Sequence, residues 1–317
     1  MASRINGFPE QAVITEVGPR DGLQSEPGFV PTDDKIALIR ALIDAGLRRF
    51  EVTSFVSPRA VPQMRDAAEV MAVFRDRDDL HLTALVPNAR GAEAAIEAGV
   101  DAMVLFASAS ESHNLKNVNR SRAESLQGFA QIARLAEDSG VRLQGAIATA
   151  FGCPFEGDVD VQAVVDQAKA YRDLGMDYIT LGDTTGMATP VLVAERVGAL
   201  RPVLPETDLA LHFHNTRGVG LACAYAGLSL GVTHYESSIG GLGGCPFVPR
   251  ATGNVATEDL VYLCHESGVE TGTDLGRLID AAHLAERIVG RELPGQIMKA
   301  GPRLQTASMD SVRTANG

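Results

Sequence analysis

The sequence has little positive charge and no long apolar run. Its 28 lysines and arginines are outnumbered by 40 aspartates and glutamates, which leaves a net charge of −12 among 317 residues. Without a basic stripe, the chain lacks the means to neutralise a nucleic-acid backbone or an anionic membrane surface. No stretch approaches the roughly 18 consecutive apolar residues of a membrane helix. We therefore expect no nucleic-acid or membrane partner, although a local basic pocket can still hold an acidic substrate.

Cysteines are also few, and none is paired in a CxxC motif. The four are Cys153, Cys223, Cys245 and Cys264. Their spacing indicates reduced thiols rather than a disulfide framework. The N-terminal residues Met1-Ala2-Ser3-Arg4 include no apolar segment of the kind found in secretory signal peptides. These features predict a cytoplasmic protein.

Short β-branched and apolar runs alternate with longer amphipathic stretches, and the alternation repeats every few tens of residues. This is the pattern of consecutive βα units. The predicted strands lie near Val13–Val17, Arg49–Ser54, Leu80–Val86, Ala102–Ala107, Leu143–Thr149, Tyr178–Leu181, Leu209–Phe213 and His234–Ser238. The predicted helices lie at Asp33–Asp44, Pro62–Arg75, Ala89–Ala98, Arg122–Ser139, Val159–Leu174, Pro190–Leu200, Gly218–Leu230 and Thr257–Ser267.

Eight such units favour a closed (β/α)8 TIM barrel of the α/β class. Helix C-caps are indicated at Gly46, Gly99, Gly140, Gly175 and Gly231, each just before a predicted strand. An open doubly wound sheet shares this local pattern, but no GxGxxG motif follows the first strand. We expect a single domain over residues 1–317, with the barrel at about 12–272, a helical extension at about 273–297 and a poorly structured tail at 298–317.

Polar side chains gather where the predicted strands end. Barrel enzymes build their active sites at this rim. The set comprises Arg20 and Asp21 after the first strand, Glu51 in the second, Asp183 after the sixth, His212 and His214 at the end of the seventh, and Cys245 and Asn254 after the eighth. We therefore expect these side chains to share one site.

His212 and His214 are two residues apart in a strand, so both side chains project to the same face and can share an ion. Taken alone, the pair is a weak signal for a metal, and two hydrogen-bonded core histidines are the more common explanation of such a pair. Asp21 would approach them across the closed ring, and the amide oxygen of Asn254 would add a fourth ligand atom. Such a mixed nitrogen and oxygen set suits Mg²⁺ or Mn²⁺ better than Zn²⁺.

Because this ligand set favours a cation that prefers nitrogen and oxygen to sulfur, Cys245 is a candidate catalyst rather than a ligand, and it follows a dense run of glycines. The segment reads Ile239-Gly240-Gly241-Leu242-Gly243-Gly244-Cys245-Pro246-Phe247. Glycine adds no packing, so this density indicates a mobile loop or a close backbone approach. A tight turn around a buried thiol has the same pattern.

The charged residues at the strand ends also have purely structural interpretations. Arg20 and Asp21 could form a surface ion pair, and Asp183 could cap a helix. The position of Arg20 beside a metal ligand nevertheless fits stabilisation of an oxyanion.

Six separated motifs follow one another along the chain. They are Glu16-Val17-Gly18-Pro19-Arg20-Asp21-Gly22-Leu23-Gln24, Thr53-Ser54-Phe55-Val56-Ser57-Pro58, Val61-Pro62-Gln63-Met64, Gly182-Asp183-Thr184, His212-Phe213-His214 and Gly241-Leu242-Gly243-Gly244-Cys245-Pro246. Taken in this order, the motifs resemble those of 3-hydroxy-3-methylglutaryl-CoA (HMG-CoA) lyases. The resemblance runs from about Val13 to Thr273. A wider group of metal-dependent barrel lyases and synthases shares the Arg-Asp pair and the His-x-His motif. The cysteine in its glycine segment distinguishes the lyases.

This resemblance implies a TIM barrel that uses Mg²⁺ or Mn²⁺ to cleave HMG-CoA into acetyl-CoA and acetoacetate, as in leucine degradation. It also implies an acyl-CoA substrate and a homodimer. The implied metal ligands are Asp21, His212, His214 and Asn254, the implied catalytic residues are Arg20, Glu51, Asp183 and Cys245, and the implied acyl-CoA contacts are Gln24 and Asn117.

The chain departs from the family pattern beside the metal histidines. The usual His-Asp-Thr-Tyr-Gly is replaced by His214-Asn215-Thr216-Arg217-Gly218. Arg217 is expected to contact the substrate, and both Arg217 and Arg250, which lies beyond the cysteine, are expected to reshape the acyl pocket. Citramalyl-CoA or longer branched 3-hydroxyglutaryl-CoA thioesters are therefore alternative substrates. A condensing acyl-CoA synthase and a non-catalytic acyl-CoA sensor are the alternative functions.

Overall fold

Eight parallel strands close into a barrel in sequence order in the computed structural model, which describes residues 4–205, 208–244 and 252–306. The ring is closed by pairing of the first strand with the last, with Val13 opposite His234 and Glu16 opposite Ser237. The predicted (β/α)8 barrel is confirmed. Among the described residues, no helix combines the length and the apolar character needed to cross a membrane.

Helices follow the strands and cover the outside of the barrel. The strands are β1 Val13–Glu16, β2 Arg49–Ser54, β3 His81–Leu85, β4 Ala102–Ser108, β5 Arg142–Ala148, β6 Tyr178–Asp183, β7 Asp208–Phe213 and β8 His234–Ser237. The helices are α1 Thr32–Asp44, α2 Ala67–Phe74, α3 Ala89–Ala98, α4 Glu111–Val118, α5 Arg122–Ser139, α6 Val161–Asp173, α7 Pro190–Leu200, α8 Gly220–Ser229, α9 Thr257–Glu266, α10 Leu275–Val289 and α11 Ile297–Ala300.

The glycines expected at helix ends do adopt the left-handed conformation. Gly99 and Gly140, with φ of 81° and 72°, terminate α3 and α5. Gly46, Gly175 and Gly231 also have positive φ angles, of 102°, 86° and 73°. A side chain is strained in this conformation, so glycine sets the point where each helix turns into the next strand.

Several predicted helices differ by one or two residues at their ends from the observed ones, and one predicted helix is divided. The stretch predicted as one helix over Pro62–Arg75 is a 3₁₀ turn at Pro62–Met64 followed by α2. Asp66 lies at the break, where it accepts hydrogen bonds from Thr32 Oγ1 at 2.9 Å and Lys35 Nζ at 2.6 Å. The predicted helix over Gly218–Leu230 begins instead at Gly220.

Helix α4 was not predicted, and α11 extends into residues that were expected to be poorly structured. Helix α4 begins at Glu111, after the N-cap Ser110, whose side chain accepts a hydrogen bond from the backbone N–H of His113, and most of its surface is exposed. A short polar helix has a weak apolar periodicity, so only its N-cap could have indicated it.

The lower half of the barrel interior is polar, where TIM barrels usually hold branched apolar side chains. The Arg49 guanidinium lies over the ring of Tyr178, 5.5 Å from its centroid. The Tyr178 ring meets His234 edge-on at 5.5 Å, and His81 Nε2 lies 3.1 Å from Gln144 Nε2. An interior of this kind can hold charged groups higher in the barrel without an abrupt change to apolar surroundings.

The C-terminal extension is attached to the barrel beneath the glycine segment. Asp259 accepts hydrogen bonds from the backbone amides of Gln296 and Ile297, and Gly295 N donates to Gly240 O at 3.0 Å. Glu258 is fully buried at this junction and accepts from Gly240 N at 2.9 Å. The extension therefore stabilises the backbone from which the cysteine-bearing segment departs.

Glu258 is expected to make stability fall as pH rises. Burial raises its pKa from 4.5 to about 8, so the folded protein retains a proton that the unfolded chain releases between these values. Glu258→Gln carries no charge. Its free energy of unfolding, relative to that of the wild type, should therefore be about 1 to 3 kcal/mol higher at pH 8 than at pH 5. Urea unfolding of both proteins at the two pH values measures this difference.

The control is Glu137→Gln, which alters an exposed carboxylate on α5. Its unfolding curves should follow those of the wild type at both pH values. If Glu258→Gln also follows the wild type, Glu258 is not buried as a neutral acid.

Candidate active site

Arg20 and Asp21 are presented by a π-helical turn, Gly18–Gly22, that follows β1. The Val17 carbonyl accepts hydrogen bonds from the amides of Arg20 at 3.1 Å and Asp21 at 2.7 Å. A side chain at Gly22 would lie 2.8 Å from Leu242 Cβ, so only glycine allows the turn to approach the segment after β8.

Glu16 fixes this turn to the opposite side of the barrel closure. Its carboxylate accepts hydrogen bonds from Gly18 N at 2.8 Å, Ile239 N at 2.9 Å and Thr257 Oγ1 at 2.7 Å. Burial raises the pKa of Glu16 to about 7, although these three donors oppose the shift. One carboxyl group thus connects the end of β1, the segment after β8 and the start of α9.

Asp21, His212 and His214 form a group that can hold a metal ion, since one ligand atom from each lies within 4.8 Å of the others. Asn254 joins them and donates from Nδ2 to Asp21 Oδ2 at 2.7 Å and to Leu242 O at 2.9 Å. Asn254 Oδ1 and His214 Nδ1 are buried and have no hydrogen-bond partner in the described part of the chain. Such orphaned lone pairs indicate a missing ligand, and they fit a divalent cation.

The protonation states of this group favour a cation. Burial raises the pKa of Asp21, but Arg20 and the two histidines outweigh it and lower the pKa to about 2. Burial and the neighbouring His212 lower the pKa of His214 to about 4. At neutral pH, Asp21 is therefore ionised and His214 is a neutral imidazole, which are the forms that bind metals.

Arg20 also pairs with Glu51 on β2. Its Nη2 donates to Glu51 Oε2 at 2.5 Å, and its Nη1 donates to Asp21 Oδ1 at 2.9 Å. Burial raises the pKa of Glu51 to about 7, while Arg20 opposes the change. Arg20 Nε and Glu51 Oε1 are both buried and lack partners among the described residues. This unsatisfied donor and acceptor are available to a polar substrate.

Asp183 ends β6 and is 2% exposed. Its Oδ1 accepts hydrogen bonds from the amides of Met187 at 2.7 Å and Ala188 at 2.9 Å, which hold the following loop against it. Burial raises its pKa to about 7, and these amides partly oppose the shift. A carboxylate with such a pKa can accept a proton near neutral pH.

The glycine segment passes directly over the metal group. A side chain at Gly243, where φ is 119°, would lie 2.5 Å from Asn254 Nδ2 and 3.5 Å from Asp21 Oδ2. The close approach predicted from the glycines is therefore present at Gly243. Cys245 and Arg250 lie outside the described residues.

Glu236 is a member of the site that sequence analysis missed. It lies on β8 opposite His212 of β7. Its Oε2 is 3.0 Å from His212 Nδ1, and its Oε1 accepts from Thr180 Oγ1 at 2.5 Å. An acidic residue inside a predicted strand was the available signal, since such a position is seldom charged without a partner.

The three residues expected to contact substrate are more peripheral. Gln24 is half-buried just beyond the π-helical turn, and Asn117 is exposed on α4. Arg217 donates from Nη1 to the carbonyls of Thr185 at 3.0 Å and Gly186 at 2.7 Å. It therefore connects the loop after β7 to the loop that follows Asp183 at the end of β6.

Three comparisons agree with the resemblance seen in the motifs. The model of the HMGL-like family matches residues 11–285. A Bacillus subtilis hydroxymethylglutaryl-CoA lyase is 42% identical over 289 residues, which cover 91% of this chain and 97% of that protein. A Pseudomonas aeruginosa 3-hydroxy-3-isohexenylglutaryl-CoA/hydroxymethylglutaryl-CoA lyase is 41% identical over 293 residues, or 92% and 98% of the two chains. An Acinetobacter baumannii HMG-CoA lyase, solved with coenzyme A and 3-methylmalate, matches with a TM-score of 0.91 at 42% identity over 97% of this chain and 100% of that one.

The metal group can be tested without any substrate. We expect the chelator-stripped protein to bind one Mn²⁺ per chain, and His214→Ala to weaken binding by at least about 10- to 100-fold because a ligand atom is lost. Electron paramagnetic resonance of free Mn²⁺ during titration measures both affinities. The matched control is His265→Ala, since His265 Nε2 instead lies 2.8 Å from Thr271 Oγ1. Equal affinity in the wild type and His214→Ala would contradict the assignment.

Proposed function

This chain belongs to the HMGL-like family, and we propose that it is a divalent-metal-dependent lyase that cleaves HMG-CoA into acetyl-CoA and acetoacetate. The observation that carries the proposal is the metal group of Asp21, His212 and His214 beside the buried Arg20–Glu51 pair. A non-catalytic sensor would need neither an unsatisfied guanidinium donor nor a carboxylate with a pKa near neutrality.

The proposed reaction breaks the bond between C2 and C3 of a 3-hydroxyacyl thioester. The C3 hydroxyl proton leaves to a base, the oxygen forms the new ketone, and the electron pair of the broken bond becomes a thioester enolate. A proton then adds to C2 and gives acetyl-CoA. Mg²⁺ or Mn²⁺, when bound by Asp21, His212, His214 and Asn254, would orient the substrate oxygens and lower the pKa of the hydroxyl group.

Asp183 is the proposed base. Its Oδ1 is engaged by two backbone amides, which restrict the carboxylate to one orientation. Its raised pKa of about 7 makes it a stronger base than an exposed aspartate while leaving a large ionised fraction at neutral pH. Geometry and basicity thus support the same role.

Arg20 is the proposed donor to the enolate oxygen. Glu51 and Asp21 hold two of its nitrogens and raise its pKa above the ordinary value, even though burial favours loss of the proton. The remaining Nε has no partner among the described residues. A charged donor fixed in advance in a buried site stabilises developing negative charge strongly.

Cys245 is the proposed acid that protonates C2. It follows Gly243 by two residues, and the Gly243 backbone approaches Asp21. A neutral thiol with a reference pKa of about 8.5 can donate a proton to a much more basic enolate carbon. The glycines would let the segment close over the substrate and exclude water.

The identity of the C3 substituent is the second element of the proposal. We propose the methyl-substituted substrate because several similar proteins carry the HMG-CoA lyase name, and one is also named for an isohexenyl analogue. Gln24, Asn117 and Arg217 stay predicted acyl-CoA contacts, and Arg250 a predicted neighbour. A homodimer and a cytoplasmic location likewise stay predictions.

We expect Mg²⁺-dependent release of acetyl-CoA and acetoacetate from HMG-CoA, with faster turnover than for citramalyl-CoA or the isohexenyl analogue. Chelation should abolish activity and added Mg²⁺ or Mn²⁺ should restore it, because the hydroxyl group loses its acidity without the ion. A coupled assay of acetyl-CoA formation, run on all three thioesters in parallel, measures the preference.

Two variants separate the proposed chemistry from metal binding. Arg20→Gln and Asp183→Asn should each lower kcat by at least about 100-fold while retaining Mn²⁺, since each removes a group that acts on the substrate. The control Arg172→Gln changes an arginine paired with Asp173 on the surface and should keep full activity. If a 2-oxoacid and acetyl-CoA instead release free CoA, the protein is a condensing synthase.

Cys245→Ser should retain metal and substrate binding but lower kcat by about 100-fold or more, because a serine hydroxyl is a much weaker acid. The measurement is kcat, KM and Mn²⁺ affinity for the variant. Cys264→Ser, at a buried cysteine on α9, is the matched control and should be nearly neutral for kcat. Wild-type kcat in Cys245→Ser would exclude the thiol as the proton donor.

A further inference from the structure

Glu236 has both carboxylate oxygens engaged inside the barrel. Thr180 Oγ1 donates to Oε1 at 2.5 Å, and His212 Nδ1 lies 3.0 Å from Oε2. The Cα atoms of His212 and Glu236 are register partners on adjacent parallel strands, so both side chains point into the barrel interior. The contact is therefore set by the backbone of two rigid strands rather than by a loop.

We propose that Glu236 is the positioning residue of the metal site, which holds His212 in the tautomer that keeps Nε2 free as the ligand atom. The inference rests on the proposed function, because it assigns a role within the same site. With Glu236 accepting from Nδ1–H, the ring plane is fixed and the lone pair lies on Nε2. Carboxylates commonly orient metal-bound histidines in this way and increase their basicity.

The second histidine of the pair offers a different atom. His214 Nδ1 is buried without a partner among the described residues, whereas the corresponding atom of His212 is held by Glu236. The two rings lie 5.3 Å apart at an angle of 37°. Two side chains of the same type, on the same strand face, therefore reach one ion through different nitrogens, and Glu236 is the residue that makes them different.

Thr180 restricts the orientation of the Glu236 carboxylate. Its hydroxyl donates to the oxygen that does not face His212, so the carboxylate cannot rotate without losing a buried hydrogen bond. The other ionisable groups that interact electrostatically with Glu236 are Arg20, Glu51 and Tyr178, and none has a direct hydrogen bond to it in the described part of the chain. His212 is thus the one ionisable group that Glu236 directly orients there.

The test compares Glu236→Gln, Glu236→Leu and the wild type, with Glu137→Gln as a matched control. Glu137 is an exposed glutamate on α5. We expect Mn²⁺ affinity to fall about 10- to 100-fold in Glu236→Leu and less in Glu236→Gln, whose amide oxygen can still accept from Nδ1–H. Glu137→Gln should match the wild type.

A second readout concerns the tautomer itself. In ¹⁵N-histidine-labelled, metal-free protein, long-range ¹H–¹⁵N spectra should show His212 protonated at Nδ1 in the wild type and in Glu236→Gln. Glu236→Leu should lose this preference. If Glu236→Leu fails to fold, Glu236→Gln and Thr180→Val carry the test, and both should weaken Mn²⁺ binding.

Two results would overturn the inference. One is Mn²⁺ affinity in folded Glu236→Gln and Glu236→Leu within about twofold of the wild type, and the other is a neutral wild-type His212 ring that carries its single proton on Nε2. Neither measurement involves substrate. Absence of HMG-CoA cleavage by the wild type, with Mn²⁺ binding still sensitive to Glu236, would instead refute the proposed function and retain the role of Glu236.

Discussion

Pairing of β1 with β8 is the constraint on which the candidate site depends. It brings Asp21, which follows the first strand, against Asn254, which lies 233 residues later in the chain. Glu16 reinforces the closure through hydrogen bonds to the segment after β8 and to α9. Because these donors come from backbone and buried side chains, the positions of the ligand atoms are fixed before any ion or substrate binds. A barrel with an open β1–β8 edge would lose the metal group even if every other strand pair formed.

Much of the fold and part of the candidate site could be predicted from the sequence, because the patterns that indicate them involve residues close together in the chain. Strand patterns and glycine caps gave the barrel, since each depends on a few neighbouring residues, as at Gly99 and Gly140. The His-x-His pair was recognisable because two residues on one strand face need no tertiary information. The six motifs that resemble those of HMG-CoA lyases then indicated the remaining candidate site residues.

What the sequence did not predict depends on distant contacts or on weak local signals. The proposed role of Glu236 depends on its contacts with Thr180, 56 residues earlier, and with His212, 24 residues earlier. No periodicity connects these positions, and only the register of β6, β7 and β8 brings them together. The π-helical turn at Gly18–Gly22 was missed for a related reason, since its shape is set by packing against Leu242. Helix α4 lacks the buried face that would have given it a pattern.

A bound metal ion would also change the charge balance of the site. Asp21 is ionised at neutral pH, Glu236 is engaged by His212, and Glu51 and Asp183 have pKa values of about 7, whereas Arg20 is the principal fixed positive charge beside them. An anionic substrate with a free carboxylate would therefore be repelled by the protein alone. A divalent ion held by Asp21 and the histidines would reverse this local balance. In the proposed reaction, the ion that lowers the pKa of the hydroxyl group would thus also make the pocket electrostatically able to receive the substrate.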